Sequence, residues 1–208
     1  MHTNIGSSMT PTKAQWREAV LSRRRGLDAA TRAAESAAIA GFVAELGRQL
    51  GPDATVCAYV PVGREPGSTE MLDALLGAVE RVLLPVAREP GPLSWAPYRG
   101  VEHLVPAPFG LREPAAPYLP PDAARDAAVM LVPALAVDRR GVRLGRGAGF
   151  YDRTLALAAG ARLVAVVRDD EVVDELPEDP HDVRMHEALT PGGGLRTLDT
   201  GGHRNVPE

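Results

Sequence analysis

Short, continuous apolar runs alternate along this chain with longer stretches of helical period. Thr12 followed by Gln15 forms a capping-box pattern, and Trp16, Val20 and Leu21 then fall on one face, which predicts a helix over 13–25. Asp28 caps a second predicted helix that runs to about Leu50 and stops at Gly51-Pro52. TVCAYVP at 55–61 and RVLLPV at 81–86 are apolar runs bounded by turn residues, so both are predicted strands. Between them Ser68 or Thr69 can cap a helix reaching Ala78. Further strands are expected over 93–98, 128–132 (extended by 134–137), 163–167 and 188–190, with a helix over 150–160. The Pro-rich stretch 105–123 and the acidic stretch 168–187 show no period and are expected to be irregular.

Unbroken apolar strands alternating with helices need cover on both faces, so an α/β sheet is the predicted class. Residues 1–10 are expected to be a flexible extension, 11–191 a single domain and 192–208 a flexible tail.

Composition narrows the function classes. The 208 residues are 45% hydrophobic and 24% charged, an ordinary globular balance. Twenty-three basic and 27 acidic residues are scattered without a basic block, so no nucleic-acid partner is expected. No apolar run approaches the ~20 residues that cross a bilayer, and no secretory leader pattern opens the chain. A soluble cytoplasmic protein, acting as a monomer, is the expectation. Cys57 is the sole cysteine and lies in an apolar run, which suits a buried structural thiol.

Lys13 is the only lysine, every other non-histidine base being arginine. A retained lysine fits a site that needs a compact point charge, such as one facing a phosphate; survival on a solvated helix face is the alternative. The densest chemistry lies in VPALAVDRRGVRLGRGAGFYDRTL at 132–155. Glycines alternate at 145, 147 and 149, flanked by Arg143 and Arg146 and followed by the predicted helix. Missing Cβ atoms let backbone amides converge on an anion, and the helix start adds its dipole. The spacing matches neither GxxxxGK[ST] nor GxGxxG. The bland alternative is a solvated Arg-Gly hairpin. Asp152 could hold Mg²⁺ against phosphates, or simply cap the helix or pair with an arginine.

Glu65 follows a predicted strand, where α/β ligand sites form, and a carboxylate there could accept hydrogen bonds from a flat heterocycle. Trp95 and Tyr98 could stack on such a ring, or pack in the core. His181-Asp182 and His186 match no familiar metal spacing.

In this order, the pieces resemble the 5-formyltetrahydrofolate cyclo-ligase (methenyltetrahydrofolate synthetase) family. The resemblance runs through Lys13 and Arg17, YVPVGREPGSTEML at 59–72, LSWAPYRG at 93–100, FGLREP at 109–114, RLGRGAGFYDRTL at 143–155 and PHDVRMHEALTP at 180–191. It implies a three-layer α/β/α sandwich related to the sugar-phosphate isomerase and CoA-transferase-like fold. It implies a ligase that uses ATP and Mg²⁺ to turn 5-formyltetrahydrofolate into 5,10-methenyltetrahydrofolate, through an iminium phosphate. By position, Lys13, Arg17, Arg143, Gly145, Arg146, Gly147, Gly149, Tyr151 and Asp152 would bind ATP, with Lys13, Arg146 and Asp152 catalytic. Glu65, Trp95, Tyr98, Pro133 and Tyr151 would line the folate side. Asp152 would hold Mg²⁺, with Asp182 or His186 as second ligand; His186 stands where some members have Asp, and neutral imidazole is a poor Mg²⁺ ligand. A non-catalytic folate- or nucleotide-binding module and a sugar-phosphate isomerase are the competing readings.

Overall fold

The computed structural model describes residues 11–87, 91–108 and 111–200. The expected extension 1–10, the end of the expected tail and Phe109-Gly110 of the FGLREP motif lie outside the described residues.

Local signals set the helix starts. The first helix, α1 (Lys13–Gly26), opens on a complete Thr12/Gln15 capping box. The second, α2 (Ala29–Leu50), opens on Asp28, whose carboxylate accepts from the Thr31 amide at 2.8 Å. The third, α3 (Thr69–Leu76), is capped by Ser68. Such caps satisfy amides that have no partner inside the helix.

Strands β1 (Thr55–Cys57) and β2 (Arg81–Val86) are followed by β3 (Ser94–Pro97). Later come β6 (Val129–Pro133), β9 (Arg162–Val166), β11 (Glu187–Thr190) and β12 (Gly194–Thr197). These seven form one sheet in the order β12-β11-β9-β6-β1-β2-β3. The inner pairings are parallel, and β12 and β3 are antiparallel edges. Side chains alternate across it. Val56, Leu131 and Val164 pack with Ile39, Val43, Met71, Leu72 and Leu75 of α2 and α3. Cys57, Met130, Leu163 and Ala165 face the other way, onto Leu155, Ala158 and Ala124. The expected three-layer α/β/α arrangement is what forms, because both faces of these strands are apolar. Each fully buried Leu or Ile contributes about 1.5–3 kcal/mol relative to exposure.

Several segments depart from expectation, and the helix expected over 150–160 forms only over Phe150–Leu155. Residues 134–137 do not prolong β6. The Ala134 carbonyl is taken by Arg24 and the Leu135 amide donates to Leu144, so the chain leaves the sheet. It then forms β7 (Ala136–Asp138), which pairs with β8 (Arg143–Leu144) and β10 (Val172–Val173). Trp16, Val20 and Leu21 of α1 pack with residues of this small sheet. The Pro-rich stretch contains a hairpin, β4 (Leu104–Ala107) and β5 (Leu111–Pro114). A two-stranded ribbon tolerates Pro106 and Pro114 where a central strand would not. Gly192 does not begin a tail: the chain turns back as β12, and Asp169 accepts from the Gly192 and Gly193 amides to hold that turn.

Candidate functional site

The parallel strands deliver Pro133 and Glu65 to one rim of the sheet. Pro133 ends β6, and Glu65 lies in the loop that follows β1. Beyond that rim lies a cavity of about 820 Å³, a size suited to a drug-sized ligand. Its wall contains Glu65, Pro133, Arg143, Arg146, Tyr151, Asp152 and the three glycines 145, 147 and 149. Loop 145–149 leads into α4 (Phe150–Leu155), and Gly149 is its cap, at φ 72°. Gly147 has φ 99°; both lie in the left-handed region that glycine adopts at least cost.

Opposite charges are matched around this loop. Arg143 donates to Asp152 at 2.6 Å, and Arg146 donates to Glu65 at 3.0 Å. The second oxygen of Glu65 accepts from the Val62 amide at 2.9 Å, which fixes the carboxylate in its loop. Arg17 of α1 donates to the Gly145 carbonyl at 2.9 Å. One turn earlier Lys13 donates to Asp179 at 2.7 Å and to Asp182 at 2.6 Å. Burial disfavours that ammonium, but the two carboxylates outweigh it and raise its pKa. The same contact holds Asp179 below the usual carboxylate range.

Two polar atoms in the wall have no partner. Arg143 Nε and the Tyr151 hydroxyl are buried with no hydrogen bond. Their side chains are adjacent, with the Arg143 guanidinium 5.7 Å from the centre of the Tyr151 ring. Burial pushes the Tyr151 hydroxyl far up, and the nearby Glu65 charge adds to the shift. An orphaned buried donor costs about 1–3 kcal/mol, and such atoms in a cavity wall suit a ligand that supplies their partners.

Not all the residues anticipated from sequence meet here. Arg17 stands beside the glycine loop and Lys13 pairs with Asp182 one turn earlier, but none of the three lines the cavity. Trp95 is fully buried among Leu83, Met130 and other residues on one face of the sheet, not in the cavity wall. Tyr98 is buried on the other face, where its hydroxyl donates to Asp73 of α3 at 2.6 Å. Trp95 is excluded by the face it takes, and Tyr98 by strand direction. β3 runs antiparallel to β2, with Ser94 opposite Val86 and Pro97 opposite Leu83, so its start, not its end, reaches the site. Leu93 accordingly lines the cavity and Tyr98 does not. His186 is also elsewhere. Its Nδ1 accepts from the Leu163 amide at 2.9 Å, near the start of β9, whose opposite end lies beside Pro133. With that nitrogen engaged in the sheet, it is no partner for Asp152.

The cluster able to gather around a cation on this side is Asp179, His181 and Asp182, whose ligand atoms lie within 4.8 Å of one another. Sequence reasoning did not assign Leu93, Leu111, Arg112, Phe150 or Arg153, all in the wall. Leu111 and Arg112 belong to FGLREP, so a signal was present, but nothing local showed that the hairpin folds over the cavity. Among the described residues no helix is long and apolar enough to cross a membrane.

The model of the 5-formyltetrahydrofolate cyclo-ligase family matches residues 9–191. A 5-formyltetrahydrofolate cyclo-ligase from Mycolicibacterium smegmatis is 54% identical over 200 residues, covering 91% of this chain and 100% of the relative. The Escherichia coli K12 cyclo-ligase is 29% identical over 141 residues, 66% of this chain and 78% of its own. The NMR structure of Aquifex aeolicus 5,10-methenyltetrahydrofolate synthetase superposes with a TM-score of 0.72 at 26% identity, covering 94% of this chain and 99% of the other. A Mycoplasma pneumoniae 5,10-methenyltetrahydrofolate synthetase shares the fold, with a TM-score of 0.65 at 18% identity, covering 83% and 94%.

Proposed function

The chain belongs to the 5-formyltetrahydrofolate cyclo-ligase family, and on that premise we propose that it couples ATP cleavage to closure of the formyl group of 5-formyltetrahydrofolate into 5,10-methenyltetrahydrofolate. The observation that carries this reading is the pair of unpartnered buried atoms, Arg143 Nε and the Tyr151 hydroxyl, beside a glycine loop with two left-handed residues. A bound anion and a polar heterocycle would satisfy both.

The chemistry asks for activation of a poor leaving group. The formyl oxygen attacks the γ-phosphorus of ATP, the bond to the β-phosphate oxygen breaks, and ADP departs. The product is an iminium phosphate at N5. N10 then attacks the formyl carbon and loses its proton, and the C–O bond breaks to release phosphate. Most of the work is positioning and charge compensation. Glu65, fixed by the Val62 amide, accepts from the pterin N–H groups. Amides of the 145–149 loop, with Lys13, Arg17, Arg143 and Arg146, face the phosphates and the charge that develops on them.

Mg²⁺ fits the donor set. Asp152 presents hard carboxylate oxygen with only Arg143 upon it among the described residues, and Mg²⁺ in phosphate sites takes one or two carboxylates. Asp152 would hold it, with Asp182 the better second candidate. When bound, the ion offsets charge on the phosphate oxygens. Arg143 keeps Asp152 oriented by their 2.6 Å contact.

The test is the absorbance of methenyltetrahydrofolate formed from 5-formyltetrahydrofolate, with ATP and Mg²⁺ left out in turn. Product should appear only with all three present, together with one ADP per methenyl group. Product without ATP, or none with it, would remove the mechanism.

A further inference from the structure

Four arginines line the cavity, and they fall into two kinds. Arg143 and Arg146 each face a carboxylate, Asp152 and Glu65. Arg112 and Arg153 have no carboxylate partner among the described residues. Both are nonetheless held. Arg112 Nη2 donates to the Val101 and Leu104 carbonyls, each at 3.1 Å, which orients the guanidinium without neutralising it. Arg153 lies 5.7 Å from the centre of the Phe150 ring and folds back over Gly149, where an added Cβ would come within 3.1 Å of Nη1. The one carboxylate of the hairpin wall, Glu113, is buried and has an interaction of its own.

Topology puts this pair away from Glu65. The sheet order β6-β1-β2-β3 sets Pro133 and Glu65 toward the β6–β1 side. Pro85 and Leu93, also in the wall, mark the β2–β3 side. Arg112 sits on β5, which packs against β2. Arg153 adjoins Thr154, whose hydroxyl accepts from the Leu93 amide at 2.8 Å. The wall also carries the apolar residues Leu93, Pro108, Leu111 and Phe150.

A reduced folate carries chemistries that match these groups. A pteridine rich in N–H groups leads to a flat aminobenzoyl ring and then to glutamate, a diacid at neutral pH. We propose that Arg112 and Arg153 form an anion subsite for the glutamate carboxylates, so that the β2–β3 end of the cavity holds the tail while Glu65 holds the pterin. This rests on the folate reading given above.

The experiment compares kcat/KM for 5-formyltetrahydrofolate with that for 5-formyltetrahydropteroate, which lacks the glutamate. Full-length wild type, Arg112→Met, Arg153→Met and the double variant are used, and KM for ATP is measured alongside. Wild type should prefer the glutamate-bearing substrate by about 100-fold, with each methionine removing about tenfold, the scale of one charge-assisted contact. The double variant should bring the preference close to unity, with KM for ATP within about twofold of wild type. Arg153→Lys, which keeps the charge, should recover part of the preference, whereas a merely structural role would not follow charge. A preference that survives in the double variant overturns the proposal. So does a raised KM for ATP with the preference intact, which would assign these arginines to nucleotide phosphate. Wild type that turns over neither substrate would sink the folate reading itself, a result separable from the other two.

Discussion

Lys13 in the first turn of α1 and Arg24 in its last turn both meet carboxylates at 2.6–2.7 Å. Their surroundings are opposite. The Lys13 side chain is 20% exposed and that of Asp179 is 52%, whereas Arg24 and Glu171 are 3% and 2% exposed. Arg24 also donates to the Ala134 carbonyl, and Glu171 accepts from the Arg168 amide. Arg168 in turn reaches Glu35 and the Arg64 carbonyl, so the buried group ties α1 and α2 to the loop that carries Glu65. Water reaches Asp179 freely, whereas the second partner of Lys13, Asp182, is 10% exposed. Nothing can replace the partners of Arg24 without opening the protein. Identical charge types thus meet solvent at one end of a helix and the core at the other, and solvent access sets how much each pair contributes to stability.

The largest effect is expected at the buried end. Arg24→Met removes the two-point partner of buried Glu171 and leaves it only the Arg168 amide and a guanidinium 3.9 Å away, which should cost about 3 kcal/mol and lower the melting temperature by on the order of 10 °C. A melt within a degree or two of wild type would break the contrast.

At the exposed end the effect should move from stability to activity. Lys13→Ala and Asp152→Ala are each expected to lower turnover about 100- to 1,000-fold, the scale of one lost group that stabilises developing charge. The thermal melt of Lys13→Ala should stay near that of wild type, whereas Asp152→Ala, which unpairs the buried Arg143, should melt at a lower temperature. Full activity in both would remove these residues from the mechanism.

The smallest effect sharpens the comparison through pH. Lys13 holds Asp179 below its ordinary carboxylate range, so the contact stabilises the fold where Asp179 would be ionised in the unfolded chain. That contribution is present above about pH 5 and is lost as pH falls through the lowered folded value. Lys13 itself is raised and stays charged past its ordinary range near pH 10. The melting difference between wild type and Asp179→Asn should therefore be small and flat from about pH 6 to 9, and vanish in acid. A difference that grows on acidification would contradict the sign.

Much of this molecule could be read locally. Thr12, Asp28 and Ser68 set helix starts through bonds spanning only a few residues. The apolar run 81–86 is β2, with the same bounds. Gly147 and Gly149 take the left-handed conformations that the alternating glycines suggested. The family could be recognised because the RLGRGAGFYDRTL motif is contiguous.

Partners distant in sequence were beyond such reading. The antiparallel direction of β3 carried Tyr98 away from the cavity, and the face on which Trp95 falls turned its ring into the core; the residue types show neither. The hairpin 104–114 brought Arg112 over a cavity whose wall is otherwise drawn from stretches as far apart as 59–65 and 143–153. Asp179 and Asp182 reach Lys13 across more than 160 positions. Caps, turns and periodicity arise within a few residues and so leave a pattern in the chain. Which side chains face one another across a cavity depends on how the layers close, and that is set by the packing of the whole core.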